Sequence, residues 1–595
     1  MDGSARAKHR SRPRIAALAA VFVLALAHAS PAEGQGERLA RLTPESATAR
    51  ALAHPKVADW LERYPPEPTT DADYRAETRD WLVKAWSGEA GQVAQAIVED
   101  PTGLVSEAWT GPQVAWKMAR GSDGAFGGDT LLTPWVWIGF CLVFFVGLAD
   151  LRRPLSLRNL DLLALLGFSV PLLFFSRGDV FTSVPLVYPA LVYLLGRGLV
   201  VGLRPGKCGL RPVWPTWAFA AAAVFLLGFR VGLNVEDPRG VIDVGLAGVV
   251  GANRIVDGQA PYGNMPQRGD LEPCGPADSE GDVRERIQTN GRCEAAIERG
   301  DTYGPVSYLA YVPATLAFPW SGKWDSLPAA HVTSIAFDLL TILALALVGL
   351  RHGGIRLAAV LAFAWTAYPF TAYALNANTN DTIMPALLVS GFWLASSAWA
   401  RGGAVALAGW AKFGALLVAP LWASYPRISR KRIAQFAIAF AGATAVSFAI
   451  LLLEPSLWDA AKTFWERTIG YQTGRDSPFS LWGWGQYHAQ GIPDLGLVQP
   501  VLAVLAVVVA LAVAVVPREK GPVQLAALTA AVLVAVQLSL THWFYLYLPW
   551  VAPFVLLWLV LPRDHEMSSR NDSIEVARPD SASQSMTAPS IRTSP

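Results

Sequence analysis

The sequence predicts an all-α polytopic membrane protein with a small α+β extracytoplasmic domain near its N-terminus. Three observations predict it. Of the 595 residues, 52% are hydrophobic and only 16% charged, with a mean hydropathy of +0.32. Soluble globular chains are nearer a quarter charged, so a soluble enzyme and a disordered scaffold are both excluded. Apolar runs of about 20 residues, the length a helix needs to cross about 30 Å of hydrocarbon, recur from residue 131 onward. Ahead of them lies a polar stretch with strand-like alternation. The net charge of +2 is too small to argue for a nucleic-acid partner, and four Cys exclude a disulfide-dense scaffold.

The first apolar run, 14–29, comes after Lys8, Arg10, Arg12 and Arg14 and ends in Ala27-His28-Ala29. Residues 1–29 therefore read as a signal peptide or signal anchor, which places the chain from residue 30 to about 130 outside the cytoplasm. Residues 30–125 hold the soluble domain. A short helix is expected over 55–64, with alternating strand patterns inside 74–87 and over 91–99. Asp100-Pro101-Thr102-Gly103 makes a turn, 104–109 is the returning strand, and 111–120 looks helical. This helix, three antiparallel strands and a helix resemble PepSY-type modules, which implies binding or regulation; a structural appendage is the other reading.

Spanning candidates lie at 131–149, 159–176, 183–202, 214–233, 328–350, 356–375, 382–400, 433–453, 497–516, 521–540 and 543–562. Two more segments, 305–320 with internal prolines and 403–424 with Lys412 in its middle, bring the expectation to about 11–13 spans. Residues 131–205 form accessory helices, 210–562 the membrane core, and 563–595, rich in Ser, Thr and Pro, a disordered cytoplasmic tail.

Lys and Arg collect in cytoplasmic loops. Arg152, Arg153 and Arg158, then Arg204, Lys207 and Arg211, fall inside, so the loop 234–304 falls outside. There Cys274 and Cys293 are a disulfide or two free thiols. Arg401 and the cluster Arg427–Arg432 both look cytoplasmic, and one pass between them cannot put both ends inside. Residues 403–424 are then a broken, re-entrant helix pair tipped near Lys412; an ordinary span with one violated loop is the alternative. The remaining segments place 454–496 and Thr541-His542 outside and the C-terminus inside.

Ionisable groups at a water-accessible membrane face are where chemistry concentrates. The helix over 214–233 delivers Glu236, Asp237 and Asp243 to the outer surface. A partly buried carboxylate there has its pKa raised and can deprotonate a hydroxyl. Equally, Asp237 or Asp243 can cap a helix. No His, Cys or carboxylate cluster has metal-ligand spacing, and no metal is expected.

The run Ile242-Asp243, Ala252-Asn253-Arg254-Ile255, Gly258 and Pro261-Tyr262-Gly263 resembles the signature of GT-C membrane glycosyltransferases. The nearest type is the polyprenyl-phosphate-mannose-dependent group, GT87 or DUF2029-like. Thr302-Tyr303-Gly304-Pro305, the polar Asn376–Asp381 segment and Ala411-Lys412-Phe413 add to the resemblance, which covers about 210–562. It implies a GT-C-like core and transfer of a mannose-like sugar from a polyprenyl-phosphate donor to an extracytoplasmic hydroxyl, inverting and without metal or other cofactor. It implies Asp243 as general base, with Asp237 in reserve. The acceptor is a glycolipid, glycan or protein. The accessory spans, the soluble domain and the long loop 264–303 depart from the family and put the acceptor in question.

The leaving phosphate needs cations or donors. Arg254, Arg268, Arg467, Arg475 and His542 are the candidates, though His542 also reads as an interfacial residue. Asn378, Asn380 and Asp381 bind sugar hydroxyls or cap a helix, and Tyr262 joins the substrate set through the resemblance. Trp482 and Trp484 stack on a sugar or anchor the membrane belt, Trp458 and Trp465 read as belt, and Lys412 reads as structural. Against transfer stand a transporter or flippase of lipid-linked sugar, and a non-catalytic membrane sensor.

Overall fold

The computed structural model describes residues 40–75, 78–111, 113–114, 128–204, 213–269, 271–276, 283–475 and 477–562. The expected signal segment, most of the helix expected over 111–120, the basic positions Lys207 and Arg211 and the tail 563–595 lie outside the described residues.

The N-terminal unit has four strands where three were expected. A helix Pro44–Leu52, capped by Thr43 Oγ1 accepting from the Ser46 amide at 3.2 Å, precedes the expected helix Pro55–Leu61. Then comes an antiparallel meander, β1 (Thr69–Arg75), β2 (Asp80–Trp86), β3 (Gln92–Glu99) and β4 (Val105–Thr110), in spatial order β1-β2-β3-β4. The strand missed is β1, TTDADYR, an edge strand whose outward residues are polar and whose pairing with β2 supplies what its composition lacks. Trp81, Val83, Ala96 and Val98 of the sheet pack under Ala47 and Ala51 of the first helix. The Asp100 carboxylate holds residues 41 and 42 to the sheet by accepting from the Arg41 and Leu42 amides and from Trp81 Nε1, at 2.8 to 3.1 Å.

The body is helical. Among the described residues, seven helices are long and apolar enough to cross a membrane: Leu157–Ser176, Val180–Leu203, Thr216–Glu236, Pro328–Ala367, Arg430–Leu453, Val498–Val515 and Pro522–Ser539. Three shorter apolar helices, Pro134–Leu148, Phe413–Ser424 and Tyr545–Val560, join them. Some expected spans are divided. Residues 328–350 and 356–375 are two helical arms as expected, within Pro328–Ala367 and separated by a turn at Gly354, whose φ of 72° an L side chain rarely adopts; the second arm breaks again before Pro369–Asn376. Residues 382–400 split into Ile383–Trp393 and the start of Ala398–Ala411. Residues 305–320 are two short helices, Pro305–Leu309 and Val312–Ala317.

Pro522–Ser539 is apolar all round and buried all round, so the other helices pack on it. Gly198 and Gly202 of Val180–Leu203 let the backbones approach: a Cβ at either would run into Ala527 or Leu528. Arg230 and Asp338 form a fully buried ion pair at 3.0 Å, tied further to the Trp365 carbonyl and indole and to Thr371.

Residues 403–424 break where the loop charges demanded. Ala398–Ala411 stops at Lys412, whose backbone is extended, and a short 3-10 helix and Ala419–Ser424 come next. Arg401 at one end donates to the carbonyls of Trp422 and Tyr425, both at 2.8 Å, so the two arms return to the same level with Lys412 at the tip.

The sheet unit docks on the body. Trp60 stacks on Phe181 with centroids 5.6 Å apart and meets Tyr487 edge-on at 6.1 Å. Arg63 Nη1 donates to the Gln490 carbonyl at 2.9 Å.

Candidate functional site

The helix Asp243–Val256 lies across the body end from which Thr216–Glu236 emerges. Three small residues seat it. A Cβ at Gly245 would strike the Asn378 backbone, at Gly248 the Tyr311 ring and at Gly251 the Tyr308 ring. The Ile242 amide donates to the Ala377 carbonyl at 3.2 Å, and Trp324 Nε1 donates to the Val241 carbonyl at 2.9 Å. These contacts fix Asp243, the first residue of the helix, at the wall of a cavity of about 290 Å³.

The same cavity is lined by Lys412, Arg475 and Arg299 and by Tyr303, Asp381 and His542. A second chamber of about 220 Å³ adjoins it and shares Tyr303, Lys412, Arg475 and His542. The cationic group therefore sits between two chambers, and only the first contains Asp243.

Lys412 Nζ bonds Asp381 Oδ1 at 2.8 Å and lies over the Tyr303 ring at 4.6 Å, with Tyr547 and Trp550 at 5.7 and 5.8 Å. Asp381 also accepts from Trp550 Nε1 at 3.0 Å and from the Thr379 hydroxyl. Arg299 and Arg475 both lie against Tyr471, at 5.3 and 5.8 Å. Asp243 is half-buried and in no ion pair among the described residues, its Oδ1 accepting only its neighbour's amide at 2.8 Å. Burial pushes its carboxyl above the usual carboxylate range, against the lowering pull of that amide, Arg475 and Lys412. Burial and the same two cations push His542 well below the usual imidazole range, so it is a neutral donor-acceptor. Its Nδ1 shares a hydrogen bond with Ser477 Oγ at 2.8 Å.

Of the residues picked from sequence, Asp243, Asp381, Arg475 and His542 come together at the cavity. The others do not. Asp237 accepts the Arg239 amide at 3.1 Å in a turn away from the cavity. Arg254 is buried, pairs with Glu294 through both terminal nitrogens, donates Nε to the Asn264 carbonyl at 2.8 Å and lines neither chamber. Tyr262 is buried against Tyr308 and Phe464 and donates to the Tyr303 carbonyl at 3.1 Å. Asn378 bonds Asn234, the Gly240 carbonyl and His331. Asn380 is buried with both amide atoms unpartnered among the described residues and does not line either chamber. Arg467 pairs with Asp301 at 3.2 Å. Trp482 and Trp484 face neither chamber, donating to the Leu538 and Pro478 carbonyls at 3.0 and 3.1 Å. Cys274 and Cys293 are joined in a disulfide that pins β-paired residues Glu285–Ile287 and Cys293–Ala295 within the 264–303 loop.

Sequence reasoning missed Arg299 and Tyr471 as lining residues, named Tyr303 only within a supporting run, and read Lys412, a buried lining residue, as structural. Arg299 sits in an unpatterned loop and Tyr471 comes directly after a π-helical turn, so no periodicity marks them. Lys412 was legible as the tip of a broken helix, which is where side chains from two arms converge. Comparison with family models, with curated proteins and with solved structures finds no match to this chain.

Proposed function

We propose that the chain is a polytopic membrane glycosyltransferase of GT-C type, acting outside the cytoplasm on a polyprenyl-phosphate-linked sugar, mannose-like. The observation that carries this reading is Asp243, an unpaired carboxylate of raised pKa, facing a cationic group across one cavity. The apolar helices and the signature around Asp243 support it as well.

The layout suits the chemistry. An acceptor hydroxyl in the first chamber gives its proton to Asp243 as its oxygen bonds to the anomeric carbon. The anomeric carbon–phosphate oxygen bond breaks on the opposite side, and the phosphate leaves with the electron pair. Lys412 and Arg475 meet the charge that develops there, and neutral His542 offers a hydrogen bond. Attack opposite the leaving group inverts the anomer. Asp381 holds Lys412 in place, and the two chambers supply room for two substrates on either side of the cations.

The test is labelled polyprenyl-phosphate mannose incubated with membranes. Asp243→Asn is expected to lower transfer by about 10²–10⁴-fold, the usual contribution of a general base, while the protein still inserts. Undiminished transfer would remove the base assignment. Lipid movement in reconstituted vesicles with no new glycosidic product would favour the flippase reading instead.

A further inference from the structure

The end of the body away from this cavity carries a second, different charged site. The helix Pro328–Ala367 runs from His331, bonded to Asn234 beside the outer segment, to Arg351 and His352. At 1.5 Å per residue those ends are about 30 Å apart. There a cavity of about 270 Å³ is lined by Arg351, His352, Phe392, Tyr425 and Arg432.

The charge around it is one-sided. Arg401, fully buried behind the cavity, spends its guanidinium on the carbonyls of Trp422, Tyr425 and Ala395 and lies 5.5 Å from the Tyr425 ring centre. Lys520, also buried, donates to the carbonyls of Ala514 and Pro517 at 3.0 and 2.8 Å. Arg351 donates to the Trp393 carbonyl at 2.7 Å. None of Arg351, Arg401, Arg432 and Lys520 pairs with a carboxylate among the described residues. From 395 to 434 the chain has Arg401, Lys412, Arg427, Arg430, Lys431 and Arg432 and no Asp or Glu. The acid nearby, Glu519, is exposed, bridges to Arg427 through its backbone and does not line the cavity. Arg351 is exposed and Arg432 half-buried where they line the cavity, and two arginine forks with no carboxylate between them suit a phosphate oxyanion.

We infer that this cavity binds a phosphate-bearing anion, held by Arg351 and Arg432 with His352 and Tyr425 beside them. The source is the headgroup of an anionic phospholipid in the same leaflet or free phosphate. The inference needs the helices to cross a membrane but does not need the sugar-transfer reading.

The experiment uses the full chain in detergent, delipidated and re-exposed to vesicles of phosphatidylcholine alone or mixed equally with phosphatidylglycerol, and separately to inorganic phosphate. Native mass spectrometry counts retained lipid, and thermal unfolding reads phosphate. A juxtamembrane arginine contributes about fivefold to anionic-lipid affinity. Retention of phosphatidylglycerol should therefore fall about fivefold in R432Q and about 25-fold in R351Q/R432Q, and largely survive in R351K/R432K. That result supports the lipid source. Stabilisation by inorganic phosphate that the double glutamine variant loses, with no preference between the vesicles, supports the free anion. Equal lipid retention and equal phosphate response in wild type and R432Q overturn the proposal, even where the double variant does not fold. The readout is binding, so failure of transfer in Asp243→Asn leaves it untouched.

Discussion

Lys412–Asp381 and Arg254–Glu294 are both buried ion pairs, and their surroundings differ. Arg254 directs all its nitrogens at protein: two at Glu294 and Nε at the Asn264 carbonyl. The pair ties the helix Asp243–Val256 to the disulfide-closed loop and shows nothing to a cavity. Lys412 has three donor hydrogens, and only Asp381 takes one among the described residues. It sits at a helix break where two chambers meet. Burial and pairing are common to both residues. What separates a site from a strut is the space the side chain faces.

Three substitutions sharpen that contrast. Lys412→Gln should lower turnover per folded molecule by about 10²–10³-fold, as loss of one preorganised charge at a developing oxyanion does; transfer assays normalised to folded protein check it. Arg254→Gln should strand Glu294 in the interior and cost about 3–5 kcal/mol of stability, read as a fall in the unfolding midpoint, while turnover of the folded fraction is unchanged. A turnover loss in Arg254→Gln equal to that of Lys412→Gln would erase the distinction. The smallest effect is on pH. Transfer requires Asp243 ionised, so the rate climbs with pH through a carboxyl value above the usual range. Arg475 favours the ionised form, so Arg475→Gln should move the acidic limb to still higher pH, measurable in a pH–rate profile.

Much of the fold was readable because the physics is local. Runs of apolar residues mark helices, and opposing arginine clusters at Arg401 and Arg427–Arg432 required the hairpin that breaks at Lys412. Asp243 was readable because an acidic segment comes after a long apolar helix. β1 was missed because a polar edge strand gains its stability from its partner strand, not from its own composition. Asp237, Arg254 and Tyr262 lie in the same stretch as Asp243, and Asn378 in the same stretch as Asp381, so linear position could not separate them.

By itself the sequence determined the helical, apolar character of the chain, the sheet unit ahead of it, the broken helix at Lys412 and the presence of carboxylates where a long helix ends. These depend on hydropathy, charge placement and backbone preference, each expressed within about 20 residues. Only the tertiary structure decided which charges face a cavity and which are consumed by one another. Arg299, Arg475 and Tyr471 share a cavity with Asp243 because glycines at 245, 248 and 251 let one helix settle onto the Asn378 backbone and the rings of Tyr311 and Tyr308. Close packing of distant segments selects those neighbours, and no local pattern encodes it.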